Sequence, residues 1–306
     1  MITERKLGFR SDIPCVVALG CFDGIHAGHR RVLSEAVGIA NKMGVRPAVF
    51  SFSRPPKSLF VRDISLIDDV HEKLSLFESL GIGLCVCPDP TPEILSVSAE
   101  DFINSIIIEG FSPVHVVCGY NYSFGKGAQG NVELLRTLCA AHGIGVTVID
   151  EYLQGGKPVS SSLIRELISN GKVEDAADLL CRPFSVSDRV VDGQHLARRL
   201  GFPTLNIVPS PLKLLPLHGV YAVRIILDGR EFYGIANVGL RPTVDVGIRC
   251  VEAHIFDFSE DIYGKTVTVE FLHFLREERR FESIELLQAQ VLEDIERAKS
   301  AVSQYK

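Results

Sequence analysis

No apolar run in the sequence approaches the roughly 18 residues that cross a membrane. The longest, around Pro14–Phe22 and Ser105–Ile108, are cut short by Asp23 and Glu109. Positive charge is not in excess either: 32 Lys and Arg against 38 Asp and Glu leave a net charge of −6. That supplies no electrostatic footprint for bulk nucleic acid or an anionic membrane, although a few local donors would suffice for a nucleotide. None of the eight cysteines forms CxxC, which excludes a zinc ribbon. Cys15, Cys118 and Cys139 lie in apolar runs, where a thiol behaves as a small hydrophobe. Cys85 and Cys87 share one strand face, a spacing a metal pair could use, but a buried strand accounts for it more simply. The segment Met1–Val17 lacks the continuous apolar stretch and small-residue cleavage site of a signal peptide, and a reducing cytoplasm is the expected setting. Repeats and low-complexity tracts are absent. What is present is ordinary globular composition, 46% apolar and 23% charged, over 306 residues. At roughly 150 residues per domain that length suggests about two domains.

The first half alternates strands and helices. Cys15–Gly20 reads as a short buried strand. His29–Met43 carries Val32, Leu33, Ala36, Val37, Ala40 and Met43 at helical spacing, with Gly44 as the stop. Further strands are expected at Arg46–Phe52, Leu84–Cys87, Val114–Cys118 and Gly145–Ile149. Asp69 and Glu72 form a capping-box pattern for a helix to Leu80, and Ser98 and Asp101 cap another carrying Phe102, Ile103, Ile106 and Ile107. Asn131–His142 and Ser161–Asn170 complete the helices. Strand–helix alternation with continuously apolar strands implies a parallel sheet covered on both faces. Near Cys181–Ser185 the periodicity changes. Strands follow at Phe184–Val191, Gly219–Leu227, Arg230–Val238, Ile248–Phe256 and Thr266–Phe274, with a hairpin signal at Asp228-Gly229. A closing helix has Ile284, Leu287, Val291, Ile295 and Ala298 on one stripe, and the whole suggests a small β-barrel.

The sharpest local signal is Gly20-Cys21-Phe22-Asp23-Gly24-Ile25-His26-Ala27-Gly28-His29, which follows the first strand and opens the first helix. A helix start offers unpaired N–H groups and the positive dipole end. Gly20, Gly24 and Gly28 allow close backbone approach. His26 and His29, three apart, can face one anion; as a metal pair they lack an evident third ligand. A second anion cradle is readable at Ser160-Ser161-Ser162-Leu163-Ile164-Arg165. Gly125-Lys126-Gly127-Ala128-Gln129-Gly130 matches GxGxxG, but six residues separate it from the preceding strand, which argues against a dinucleotide site. The loop GxxxxGK[ST] is absent.

The string GxFDGxHxGH resembles the signature of a nucleotidylyltransferase superfamily. It is joined by Leu200-Gly201-Phe202-Pro203-Thr204-Leu205-Asn206, Gly234-Ile235-Ala236-Asn237-Val238-Gly239, Val251-Glu252-Ala253-His254 and Leu275-Arg276-x-Glu278-x-x-Phe281. Together these resemble the bacterial bifunctional riboflavin kinase/FAD synthetase family over nearly the whole chain, in order and spacing. The resemblance implies a Rossmann-like nucleotidylyltransferase domain with a parallel sheet at 1–182 and a Greek-key-like β-barrel with a closing helix at 183–306. It implies phosphorylation of riboflavin to FMN by the second domain and adenylylation of FMN to FAD, with release of pyrophosphate, by the first. The implied cofactor is Mg²⁺, with ATP as co-substrate. By the same resemblance His26, His29 and Glu252 are catalytic, Glu252 as the base for the ribityl hydroxyl. ATP contacts fall on Gly20, Phe22, Asp23, Gly24, His26, Gly28, His29, Asn121, Ser161, Ser162 and Arg165 in the first domain. In the second they fall on Gly201, Pro203, Thr204 and Asn206, of which Thr204 and Asn206 hold the metal. Flavin contacts fall on Asn121, Arg276, Glu278 and Phe281. Small molecules are the expected partners, without nucleic acid or membrane, and self-association into a homo-oligomer stays open.

The chain departs from the family pattern at Ala197, at Arg54-Pro55-Pro56, at Ser123 and at Val244. Ala197 puts a Cβ where the family often has glycine, and Ser123 stands where it often has arginine. The alternative reading is a riboflavin kinase whose synthetase half is degenerate and serves as a flavin- or nucleotide-binding regulatory domain. A nucleotidylyltransferase for another phosphate ester, with an accessory barrel, would leave Glu252 and Asn206 unexplained.

Overall fold

A computed structural model describes residues 1–61, 64–192, 202–241 and 248–305. The chain divides into two compact units, Met1–Ser161 and Ser162–Lys306.

In the first unit, β1 (Ile2–Glu4), β2 (Cys15–Leu19), β3 (Arg46–Phe50), β4 (Leu84–Val86), β5 (Pro113–Gly119) and β6 (Gly145–Ile149) form one parallel sheet in the order β1-β4-β3-β2-β5-β6. The expected strands are present, each within a few residues; β1 is an addition. The continuous apolar run of β2 is explained by its two faces. Cys15, Val17 and Leu19 enter the core on one side of the sheet, and Val16 and Ala18 the core on the other.

Helix α1 (Ala27–Met43) joins β2 to β3 and stops at left-handed Gly44 (φ 66°). Helix α2 (Val70–Ser79) opens with the expected capping box, in which Asp69 accepts from the Glu72 amide at 2.9 Å and Glu72 from the Asp69 amide at 2.8 Å. After the single-turn α3 (Pro92–Leu95), the helix capped by Ser98 is irregular. A turn of α-helix, α4 (Ala99–Asp101), widens into a π-helix over Phe102–Ile108 before α5 (Glu109–Phe111). The wider turn keeps Phe102, Ile103, Ile107 and Phe111 buried together, at spacings of four and five. Helix α6 (Val132–Ala140) precedes β6, and a short hairpin of β7 (Leu153–Gln154) and β8 (Lys157–Pro158) follows it.

The chain passes from β2 outward to β3 and β4 and then crosses back to β5 on the other side of β2. The carboxyl ends of β2 and β5 therefore flank a topological switch point, where such sheets bind ligands.

Helices α7 (Ser161–Ser169) and α8 (Val173–Leu180) lead into the second unit. Its strands are β9 (Phe184–Val191), β10 (Leu205–Ile207), β11 (Gly219–Leu227), β12 (Arg230–Arg241), β13 (Ile248–Ile255) and β14 (Thr266–Glu277). They close an antiparallel barrel in the order β10-β13-β12-β11-β14-β9. Asp228 (φ 49°) and Gly229 (φ 75°) make the expected tight hairpin. Division by compactness falls ahead of the change in periodicity at 182/183 because α7 and α8 pack with the barrel. Glu174 of α8 accepts from the His273 ring at 3.0 Å and the Phe274 amide at 3.2 Å, and the Leu217 amide donates to Ile168 at 3.3 Å.

The last helix, α9 (Ile284–Val302), lays Val291, Ile295, Ala298 and Val302 on Val220, Ala222, Ile235 and Leu272. Its first turn stays outside this contact, with Ile284 56% exposed.

Candidate active sites

The loop from β2 to α1 is held in a strained shape. Phe22 (φ 51°) and Ile25 (φ 37°) both adopt left-handed backbone that L-residues with large side chains avoid, and Gly24 (φ 87°) lies between them. Burial fixes the strain. The Phe22 ring is 1% exposed and meets the rings of His29 at 5.3 Å and Phe77 of α2 at 5.8 Å, edge-on in both cases. A Cβ on Gly20 would stand 2.7 Å from that ring, and one on Gly24 2.9 Å from Ile67. Asp23 is buried. Its carboxylate accepts from the Ile67 amide at 3.2 Å, and its carbonyl from the Ser161 hydroxyl at 2.8 Å.

His26 is the N-cap of α1, its Nδ1 accepting from the His29 amide at 3.4 Å. The two imidazoles stack, with centroids 3.7 Å apart and planes at 20°. Gly28 leaves room for this, since a Cβ there would lie 3.2 Å from the His26 ring. Burial lowers the His26 pKa to about 4, and burial, His26 and Lys73 together hold His29 well below the usual histidine value. Both rings are neutral at pH 7. The Nδ1 of His29 and the Nε of Arg30 are enclosed without a hydrogen-bond partner among the described residues. The first turn of α1 carries no acidic residue. The result is a helix N-terminus with unspent polar groups and no acidic residue in its first turn, which can receive a polyanion.

Asn121 is exposed in the loop after β5, across the switch point. Ser161 joins the loop through Asp23. Ser162 and Arg165 lie on α7 in the second unit, Ser162 exposed and Arg165 half-buried.

On the barrel, Asn206 of β10 pairs in register with Glu252 of β13, and Glu252 with Asn237 of β12. Directly opposed residues share a face, so three polar side chains form one row across three strands. Asn206 is 5% exposed, yet its Oδ1 has no hydrogen-bond partner among the described residues. Beside it opens a cleft of 370 Å³ lined by Pro203, Thr204, Asn206 and the segment from Phe258 to Tyr263. The His254 ring meets the Pro203 carbonyl at 2.9 Å; a carbonyl only accepts, so Nδ1 carries the proton and pins the turn before Thr204. Asn237 Nδ2 donates to Glu278 at 3.3 Å. Gly239 makes room for this contact, since a Cβ there would lie 2.8 Å from the Glu278 carboxylate.

Arg276 is paired with α9. Its guanidinium grips the buried Asp294 of α9 from Nε at 3.0 Å and from Nη2 at 2.8 Å, and lies 5.7 Å from the Phe281 ring. Gly201 and the departures Ala197 and Val244 lie outside the described residues. Sequence reasoning does not single out Asn237 or Lys73. The first takes its place from the β12–β13 register, which the sequence does not display. The second had a signal in its spacing: a lysine at the inward i, i+3, i+7 positions with Val70 and Phe77.

No helix among the described residues is long and apolar enough to cross a membrane, and no cluster of three His, Cys, Asp or Glu among them could hold a metal.

The FAD synthetase family matches residues 9–163 and the riboflavin kinase family residues 180–302. The bifunctional riboflavin kinase/FMN adenylyltransferase of Escherichia coli (strain K12) is 33% identical over 284 residues, covering 92% of this chain and 90% of the relative. That of Bacillus subtilis (strain 168) is 32% identical over 289 residues, covering 92% and 91%. A crystal structure named as a macrolide-efflux protein from Streptococcus pneumoniae superposes with a TM-score of 0.88 at 28% identity, covering 99% of both chains. This chain belongs to the bifunctional riboflavin kinase/FMN adenylyltransferase family, with an FAD synthetase domain ahead of a riboflavin kinase domain.

Proposed function

We propose that this chain makes FAD from riboflavin in two ATP-dependent steps, one in each unit, in the cytoplasm. The observation that carries the reading is the pair of orphaned buried polar atoms, one at each site: His29 Nδ1 at the start of α1 and Asn206 Oδ1 beside the barrel cleft. Eight buried side-chain atoms among the described residues lack a hydrogen-bond partner; these two support the reading because they belong to the helix start and to the wall of the barrel cleft, where a phosphate or metal can meet them.

In the barrel, Glu252 takes the proton from the ribityl 5′-hydroxyl as its oxygen attacks the γ-phosphorus of ATP; the bond to the β-phosphate oxygen breaks, leaving FMN and ADP. The half-buried carboxylate sits one strand from Asn206, so base and phosphate-side ligand are held on rigid elements. A Thr204 hydroxyl and the Asn206 amide oxygen are hard oxygen donors on one cleft and fit Mg²⁺, which would supply charge neutralisation on the phosphates. His254 acts through Pro203 by fixing the turn that carries Thr204.

In the first unit, an FMN phosphate oxygen attacks the α-phosphorus of ATP and pyrophosphate leaves. The protein makes no covalent bond. Its part is to hold the β- and γ-phosphates, where charge accumulates, on the α1 amides, His26 and His29. Ser161 keeps the loop in place through the Asp23 carbonyl.

Purified protein given riboflavin, ATP and Mg²⁺, or FMN, ATP and Mg²⁺, tests both steps when riboflavin, FMN and FAD are resolved by chromatography with fluorescence detection. FMN followed by FAD is the expected result. FMN without FAD in either tube would favour a kinase with a degenerate synthetase half.

A further inference from the structure

We infer that Lys73 is a positioning residue of the adenylylation site: a fixed positive charge that holds the loop at the start of α1 in shape and draws the ATP phosphates to it. The inference deepens the adenylyltransferase reading of the first unit and rests on it.

Lys73 is 1% exposed. It lies on α2 four residues before Phe77, so both project from one face of the helix, Phe77 against the Phe22 ring. The Lys73 Nζ donates to the carbonyls of Cys21 and Phe52, each at 3.0 Å. No carboxylate pairs with it among the described residues. Burying an ammonium ion without a direct ion pair is expensive; two carbonyl dipoles offset only part of that cost, and the buried Asp23 carboxylate of the loop is turned to the Ile67 amide. A polyanion at the loop would supply the missing charge.

The contact also explains the shape of the loop. The Cys21 carbonyl belongs to the peptide that precedes Phe22, and it accepts a second bond from Ser51 Oγ at 2.9 Å. Two donors fix that peptide plane, and Phe22 takes its left-handed φ of 51° against it. Lys73 therefore ties α2 to the segments that follow β2 and β3, at the residue where the strained loop begins. Its charge also reaches His29, where it opposes protonation. The arrangement separates two tasks: neutral imidazoles supply directed hydrogen bonds, and a buried lysine supplies the charge.

A core lysine that merely staples β2 to β3 would show the same two bonds, so the test must separate charge from stability. Lys73→Arg keeps the charge, Lys73→Gln keeps a donor without charge, and Lys73→Met keeps neither. FMN adenylylation is measured with ATP and FMN varied in turn, riboflavin phosphorylation by the barrel is followed in the same preparations, and melting is recorded by calorimetry. The expected result is a KM for ATP raised about tenfold or more in Lys73→Gln and Lys73→Met, and within about threefold of wild type in Lys73→Arg. The KM for FMN and the kinase rate stay within about twofold of wild type. Equal ATP KM values for the Arg and Gln variants would overturn the inference. So would parallel rises in both KM values with a lowered melting temperature, which would leave Lys73 a structural staple. Should Lys73→Met not fold, the Arg and Gln variants decide the matter alone. If wild-type protein itself makes no FAD from FMN, the adenylyltransferase reading fails rather than the role of Lys73.

Discussion

Asn206 and Glu252 stand directly opposite each other in the β10–β13 pair, one almost wholly buried and the other half-buried. That places an amide oxygen suited to a metal–phosphate group within one strand spacing of the carboxylate proposed as base. Glu252→Gln is nearly isosteric but cannot take a proton. Riboflavin phosphorylation should fall by roughly 10²–10⁴-fold, the usual worth of a general base. FMN adenylylation in the same preparation should stay unchanged, because Glu252 lies in the other unit. Retention of kinase turnover would remove the base assignment.

The histidine pair makes the first unit sensitive to acid. Burial holds the His26 pKa at about 4 against 6.5 when exposed, so the unfolded chain binds its proton first as pH falls. Stability is complete above about pH 6.5 and is lost as pH falls toward 4, by about 2 kcal/mol at pH 5 from His26 alone. His29 adds to the loss in the same direction. His26→Asn keeps a good N-cap and removes the titrating ring. Between pH 7 and 5, the melting temperature of the variant's first unit should fall less steeply than that of wild type. Equal slopes in calorimetry would count against a neutral buried imidazole.

Most of the architecture is legible in the sequence because its signals are local. The glycine after Met43, the Asp69–Glu72 box and the Asp228-Gly229 turn each fix an element boundary by backbone chemistry within a few residues, and all three are found in the structure. The π-helix over Phe102–Ile108 was hidden, because a run of isoleucines fits either helical period and only packing on the sheet chooses. β10, three residues long, was hidden for a similar reason: its strand character comes from pairing on both sides. At the sites, the histidines could be read from their spacing at a helix start. Asn237 owes its place to strand register, and Lys73, readable from its spacing as an inward lysine, owes its carbonyl partners to tertiary packing.

Arg276 illustrates the same limit. The sequence resemblance assigns it to the flavin, and the structure adds a partner that the motif did not show: its guanidinium pairs with Asp294, which is 1% exposed and also accepts from Gln290 at 2.9 Å. Asp294→Ala would leave a largely buried arginine uncompensated, at a cost of about 3–5 kcal/mol, and should lower the urea midpoint of the barrel unit. Replacing both partners, as Arg276→Met with Asp294→Leu, should recover most of that loss, since no charge is then left enclosed. If the double variant is stable but binds riboflavin far more weakly than wild type, Arg276 serves the flavin as well as α9.

Gly20→Ala tests whether the strained loop is required for adenylylation. The added Cβ would lie 2.7 Å from the Phe22 ring, too close for any real contact. That ring cannot swing aside freely, because His29 and Phe77 meet it edge-on and it is almost wholly buried. Relief must come from the loop, and it would shift His29 through its contact with Phe22. The first unit should lose about 1–3 kcal/mol of stability, the usual range for overpacking. FMN adenylylation should drop more steeply than the melting temperature alone would suggest, while riboflavin phosphorylation continues at the wild-type rate. A variant with a lowered melting point but full FAD synthesis at a temperature where it remains folded would show that the position of the His29 ring is not critical. The helix amides would then hold the phosphates by themselves.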